Sequence, residues 1–234
     1  MPPVKKLPKW RVSYQKAVAI QNELREKVIT KPLKRKISTV AGADVAYDKH
    51  SQKLHAAIVV LGFPSLETLE QVVVEGKASF PYIPGLLSFR EAPVVSKAFK
   101  KLTTRPDVLM CDAQGIAHPR GFGLASHLGL LFDTPTIGCA KSRLCGVHKE
   151  VGPEAGNYAS LRLNGNTIGV ALRTRRGVKP VYVSIGHLVD LRGAIRMALR
   201  CCKGYRIPEP TRRAHILVGA ARRGEKIAFD NRKQ

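Results

Sequence analysis

The stretch Pro106-Asp107-Val108-Leu109-Met110-Cys111-Asp112 decides how this chain folds. Its short continuous apolar run suits a central strand covered on both faces, so helices must lie on each side of it. Upstream, the runs 39–47, 54–63 and 69–80 read as three strands joined by short polar turns, a meander. Between meander and central strand, Val94, Val95, Ala98, Phe99 and Leu102 mark one face of a helix, with Ser96, Lys97, Lys100 and Lys101 opposite. Downstream, 124–132 reads as a helix and 135–140 as a second buried strand ending at Lys141. Segments 167–173 and 179–185 then pair across Arg175-Arg176-Gly177. A helix follows Asp190, and a last one opens near Thr211, whose hydroxyl can cap it, and carries His215. At the other end, Ala17, Ile20, Leu24 and Val28 give 13–29 an amphipathic helical face. The expected fold is α/β: a mixed central sheet with helices on both faces, in one domain over 13–222. Residues 1–12 read as a basic N-terminal extension and 223–234 as a basic tail.

Charge restricts the partners. Forty Lys and Arg against seventeen acids leave a net charge of +23, so few positive side chains have a partner. Self-repulsion of that size makes a polyanion the natural ligand. Nucleic acid is favoured over a membrane, because no basic amphipathic helix carries Trp and Phe on its apolar face. No run has the length of a transmembrane span and no signal peptide is visible. The five cysteines form no C-x-x-C pair. A reduced cytoplasm fits them best, with the thiols as core filler.

Three carboxylates stand where carboxylates are costly. Asp44 lies mid-strand in Val40-Ala41-Gly42-Ala43-Asp44-Val45-Ala46, and burying it alone costs several kcal/mol. A salt bridge would compensate it, and so would a divalent cation. Asp112 stands at the C-terminal end of a buried strand, where open α/β sheets place ligands, though it also suits the start of a turn. Ser88-x-x-Glu91 spells a capping box, yet Pro93 fits the first helical position and leaves Glu91 free at a helix entrance. Hard cations such as Mg²⁺ take carboxylate oxygens and waters. A cluster of these three acids would support phosphodiester cleavage, and the basic surface would bring it a substrate.

Other residues have both plain and functional readings. His118 is either an exposed loop histidine or a neighbour of Asp112; His215 is either a surface residue among arginines or a group for a phosphate. Lys141 either faces solvent or stabilises charge near a scissile phosphate. Tyr82, on the stiff loop Pro81-Tyr82-Ile83-Pro84-Gly85, is either a core tyrosine or a wedge that stacks where a displaced base stood.

Taken together, several motifs closely resemble the endonuclease V family. They are Pro81-Tyr82-Ile83-Pro84-Gly85 through Phe89-Arg90-Glu91, Gly115-Ile116-Ala117-His118-Pro119-Arg120, Pro135-Thr136-Ile137-Gly138 and Ala140-Lys141-Ser142. Asp44, the helix with Gln21 and Leu24, and Tyr205-Arg206 through His215 extend the likeness over roughly 13–220. The resemblance implies a ribonuclease H-like fold and a metal-dependent endonuclease that acts on hypoxanthine (inosine) in nucleic acid, with DNA favoured over RNA. It implies a nick at the second phosphodiester bond 3′ to the lesion, leaving 3′-hydroxyl and 5′-phosphate ends. By the same likeness Asp44, Glu91 and Asp112 would hold Mg²⁺, with Mn²⁺ able to substitute, and His215 would complete the catalytic group. Lys141 and His118 would support the phosphate and lesion, and Tyr82 would be the wedge. The backbone of Gly85, Leu86 and Leu87 with the loop after Asp112 would form the base pocket, and Arg206 and Arg212 would contact the substrate. The family usually has glycine after the last catalytic aspartate; here it is Ala113, an extra methyl at a pocket wall. A monomer is expected. The alternatives are another ribonuclease H-like, structure-selective nuclease and a nucleic-acid-binding protein without catalysis.

Overall fold

The computed structural model describes residues 10–225 apart from 35, 49, 50 and 52. Most of the expected extension (1–9) and tail (226–234) lie outside the described residues. Trp10, assigned to the extension, instead packs edge-on against Phe89, with ring centroids 6.4 Å apart.

One eight-stranded sheet runs in the order β3-β2-β1-β4-β5-β8-β7-β6. The meander comprises β1 (Thr39–Tyr47), β2 (Lys53–Gly62) and β3 (Thr68–Lys77). The centre adds β4 (Val108–Cys111) and β5 (Thr136–Ala140), and the far half β6 (Tyr158–Leu163), β7 (Asn166–Leu172) and β8 (Val181–His187). β1, β4 and β5 are mutually parallel and every other pairing is antiparallel. The sheet is mixed, as expected. β6 escaped the sequence reading, although Asn164 and Gly165, both at positive φ, form the two-residue turn that joins it to β7.

Alternation in β1 and β4 sorts the core into two layers. Ala41, Ala43, Leu109 and Cys111 face one way, under α2 (Leu87–Lys100) and α3 (Leu124–Phe132). Val40, Val108 and Met110 face the other, under α4 (Leu191–Arg200) and α5 (Glu209–Arg222). Helices on both faces leave β4 no solvent, which is why its four residues are all apolar and buried.

Three helices differ from expectation: α5 opens at Glu209 after Pro208, and the Thr211 hydroxyl donates to Pro208 O instead of capping the helix. α1 spans Tyr14–Arg25, with Ser13 Oγ accepting from Lys16 N, and stops short of Val28. Residues beyond it form an extended strap, where Ile29 N donates to His187 Nδ1 at 3.1 Å. α2 begins at Leu87 and takes Pro93 into its interior. Its entry is not where the proline pointed. Burial of Phe89, Ala92, Val94, Val95, Ala98 and Phe99 holds the helix through the missing N–H. Glu91 therefore sits in the second turn of α2, not at its entrance.

Candidate active site

Parallel register brings the first two acids together. Ala43 pairs with Cys111, and Asp112 N donates to Ala43 O at 3.0 Å, so Asp44 and Asp112 stand side by side just past β4. Both follow the even-numbered face of β1 and β4, the face under α5. Gly42 allows α5 to approach there: a Cβ on it would stand 1.8 Å from the Pro210 carbonyl oxygen. With its first turn seated on β1, α5 sets His215 Nδ1 2.7 Å from Asp44 Oδ2 and 3.1 Å from Lys141 Nζ. Lys141, just past β5, forms an ion pair with Asp112. Asp44 Oδ1 also accepts from Val45 N at 2.8 Å.

One ligand atom each from Asp44, Asp112 and His215 falls within 4.8 Å of the others. Glu91 is not in that group, because α2 lies across the opposite face of the sheet. It still shares a small enclosed space with Asp44 and Asp112. Burial pushes its carboxyl up to about 8, and the Asp44 charge adds to this. Burial and the Asp44 charge likewise raise Asp112, against the pull of Lys141. The hydrogen bond to Asp44 holds His215 above its ordinary value. Carboxylates raised by one another mark a place short of positive charge. Two carboxylates and an imidazole on rigid elements, with a third acid alongside, are a donor set that fits a hard divalent cation.

Beside this cluster a cavity of about 380 Å³ opens between residues 82–88, the loop after Asp112 and residues 140–144. Asp112 and Lys141 belong to its wall, so the cavity meets the acids directly. Tyr82, Gly85, Leu87, Ala113 and His118, five of the residues expected to contact the substrate, line it. Tyr82 stands at its mouth, 71% exposed. Ala113 contributes its methyl without a left-handed backbone.

Gly85, at φ 78°, turns the loop, and its carbonyl is held from three sides. Gln21 Nε2 donates to it at 2.9 Å and Arg120 Nη2 at 2.5 Å, with His118 Nε2 at 3.0 Å. Arg120 Nε is in turn held by Gln21 Oε1 at 2.6 Å. His118 is thus buried rather than an exposed loop residue, and burial drops its pKa to about 4. A neutral imidazole braces the pocket loop; it carries no charge to a phosphate at neutral pH.

Two expected substrate residues, Arg206 and Arg212, are engaged by other protein groups, and the Leu86 side chain points into the core. Leu86 is fully buried with Ala17, Phe80 and Phe89, so only its backbone can face the cavity. Arg206 spends its guanidinium on the carbonyls of Lys179, Lys141 and Pro180, fixing the end of β5. Arg212 pairs with Glu209 and lies 4.1 Å over the Tyr205 ring. Conversely, Gln114, Arg143 and Leu144 line the cavity and were not singled out. Their signal was position alone: each lies two or three residues after Asp112 or Lys141, the site residues that follow β4 and β5.

Comparison with known proteins agrees with this geometry. The endonuclease V family model matches residues 22–216. An endonuclease V from Roseiflexus sp. is 50% identical over 213 residues, covering 91% of this chain and 95% of that protein. The crystal structure of endonuclease V from Streptomyces avermitilis superposes with TM-score 0.88 at 43% identity, covering 95% of this chain and 99% of that one. A Ciona intestinalis endonuclease V bound to a 23mer DNA containing an inosine followed by a ribo-adenosine gives 0.79 at 28% identity, covering 91% and 99%. This chain belongs to the endonuclease V family and is a hydrolytic endonuclease.

Proposed function

We propose that the enzyme recognises hypoxanthine in DNA, in preference to RNA, and nicks the second phosphodiester bond on its 3′ side, acting in repair as a cytoplasmic monomer. The observation that carries this reading is the continuity of the base-sized cavity with the acidic cluster through Asp112 and Lys141. The inosine-containing DNA held by the Ciona relative supports the substrate class.

Asp44 and Asp112 would hold Mg²⁺, with Mn²⁺ as a substitute, and Glu91 would serve from the side of α2. Such an ion, when bound, polarises the phosphoryl oxygens and lowers the pKa of a bound water. Hydrolysis adds the water oxygen to phosphorus and breaks the P–O3′ bond, giving a 5′-phosphate and a 3′-hydroxyl. His215, steadied by Asp44, stands where it can hold or pass a proton at the reacting oxygen. Lys141 is the mobile cation of the site: it pairs with Asp112 here and can turn to the phosphate. Tyr82 stacks in the gap left by the lesion, and backbone groups of residues 85–87 and 113 read the extruded base.

Labelled duplexes with one inosine, in DNA or in RNA, incubated with and without Mg²⁺ test the reading. The expected result is Mg²⁺-dependent nicking of the DNA one bond beyond the lesion's own 3′ phosphate. Equal cleavage of undamaged duplex, or cleavage without any divalent ion, overturns it.

A further inference from the structure

A second basic surface lies at the opposite end of the sheet, at the N-terminal ends of β1 and β5. Two adjoining cavities of about 420 and 460 Å³ share Leu33 of the strap that follows α1. The first has an apolar floor that includes Ile37, Phe63 and Met197. Its rim carries Lys36, Arg196 and Arg200, and Lys31 and Lys34 line the second cavity, opposed only by Asp133. Arg200 is already set over the Phe63 ring, 4.4 Å from its centroid. None of these five cations forms an ion pair with a described residue, so their charge is open to a partner.

We propose that this surface binds an acidic, amphipathic peptide segment of a partner protein, one apolar side chain on the floor and carboxylates against the rim. Charge selects the occupant. The chain's own ends carry Lys5, Lys6 and Lys9, and Lys226, Arg232 and Lys233 against Glu225 and Asp230, so each end has a net charge of the same sign as the rim. A second copy at +23 is repelled as well. A nucleic-acid backbone would use the cations but leave the apolar floor wet, whereas an acidic segment with a Leu or Phe uses both. The surface is also at the far end of β1 from Asp112, so it leaves the catalytic cleft to the substrate.

The test uses the full chain and a fluorescent peptide of aspartates ending in Leu-Phe, with a control ending in Ser-Ser and with oligothymidylate as competitor. Anisotropy should show saturable binding of the Leu-Phe peptide, and weaker binding of the control. The double variant Lys36→Glu/Arg196→Glu alters two exposed side chains and should bind the Leu-Phe peptide about tenfold more weakly while nicking at the wild-type rate. Leu33→Asp should weaken it similarly. Equal affinity for both peptides, undiminished binding by the variants, or no binding at all overturns the proposal. So does oligothymidylate whose own affinity falls in the same variants, which would make the occupant a nucleic acid.

Discussion

Helix α5 carries two clusters of charged groups, and they are built on opposite plans. At its first turn Glu209, almost fully buried, accepts from Arg212 Nε at 2.6 Å and Arg213 Nε at 2.9 Å. Burial alone would raise that carboxyl, but the two arginines win and hold it below its usual range. Six residues on, His215 joins Asp44 and Asp112, where acids stand against acids and burial with the neighbouring charge raises Glu91 and Asp112. One cluster is balanced and closed to further ligands. The other is left short of positive charge, which costs stability and creates affinity for a cation. The difference separates a fastening from a workplace.

Exchanging each acid for its amide should expose that contrast. Asp112→Asn should slow nicking of inosine duplex by about a thousandfold or more while duplex binding and thermal stability survive. A variant that nicks normally removes Asp112 from the metal site. Glu209→Gln should do the reverse, costing about 3 kcal/mol in chemical denaturation because the buried Arg213 and the partly exposed Arg212 lose their charge partner. A wild-type melting curve would show that the first-turn cluster is not a fastening.

The pocket loop offers a milder probe. Tyr82→Ala should lower discrimination between inosine and undamaged duplex by about tenfold, since stacking of one base on an aromatic ring is worth about 1–3 kcal/mol. Metal-dependent stabilisation, read by melting with Mg²⁺, should not change. Unaltered discrimination would take the wedge role from this ring.

The smallest effect concerns a group that neither cluster uses. His127 is fully buried among Trp10, Phe89 and Phe122, with no hydrogen-bond partner for either ring nitrogen among the described residues. Burial lowers its pKa from 6.5 to about 4. Folding therefore keeps the ring neutral while the unfolded chain takes up a proton below pH 6.5. Its contribution to stability is full above that value and is lost as pH falls through about 4. His127→Phe should raise the melting temperature modestly at pH 7, by the roughly 1 kcal/mol an unmet polar group costs. The gain should grow at pH 5. A gain that is equal at both values would contradict the neutral, buried assignment.

How much of this was legible in the sequence follows from how local each cause is. Strand alternation and the run 108–111 disclosed the layered sheet, and Asp44 and Asp112 were conspicuous because acids rarely end or interrupt apolar strands. The motifs around Tyr82 and Gly85 placed a stiff loop correctly beside the loop after Asp112. Glu91 was misplaced because Pro93 is a local signal for a helix start, and tertiary burial of α2 overrode it. Arg206 looked like a substrate ligand because the carbonyls it holds come from elements that only the folded chain brings near, whereas Glu209, the partner of Arg212, stands three residues before it on the same helix and was open to a reading as its ion pair. Trp10 looked like part of a polar extension for the same reason, its aromatic partners lying far along the chain.

The approach of the Pro210 carbonyl to Gly42 has a further consequence for variation within the chain. Position 42 belongs neither to the acid cluster nor to the cavity wall, yet a side chain there would push α5 off the sheet and carry the imidazole of His215 away with it. In a library randomised at that codon and selected for nicking, glycine should be the sole survivor, a strictness that would easily be mistaken for a direct part in the chemistry.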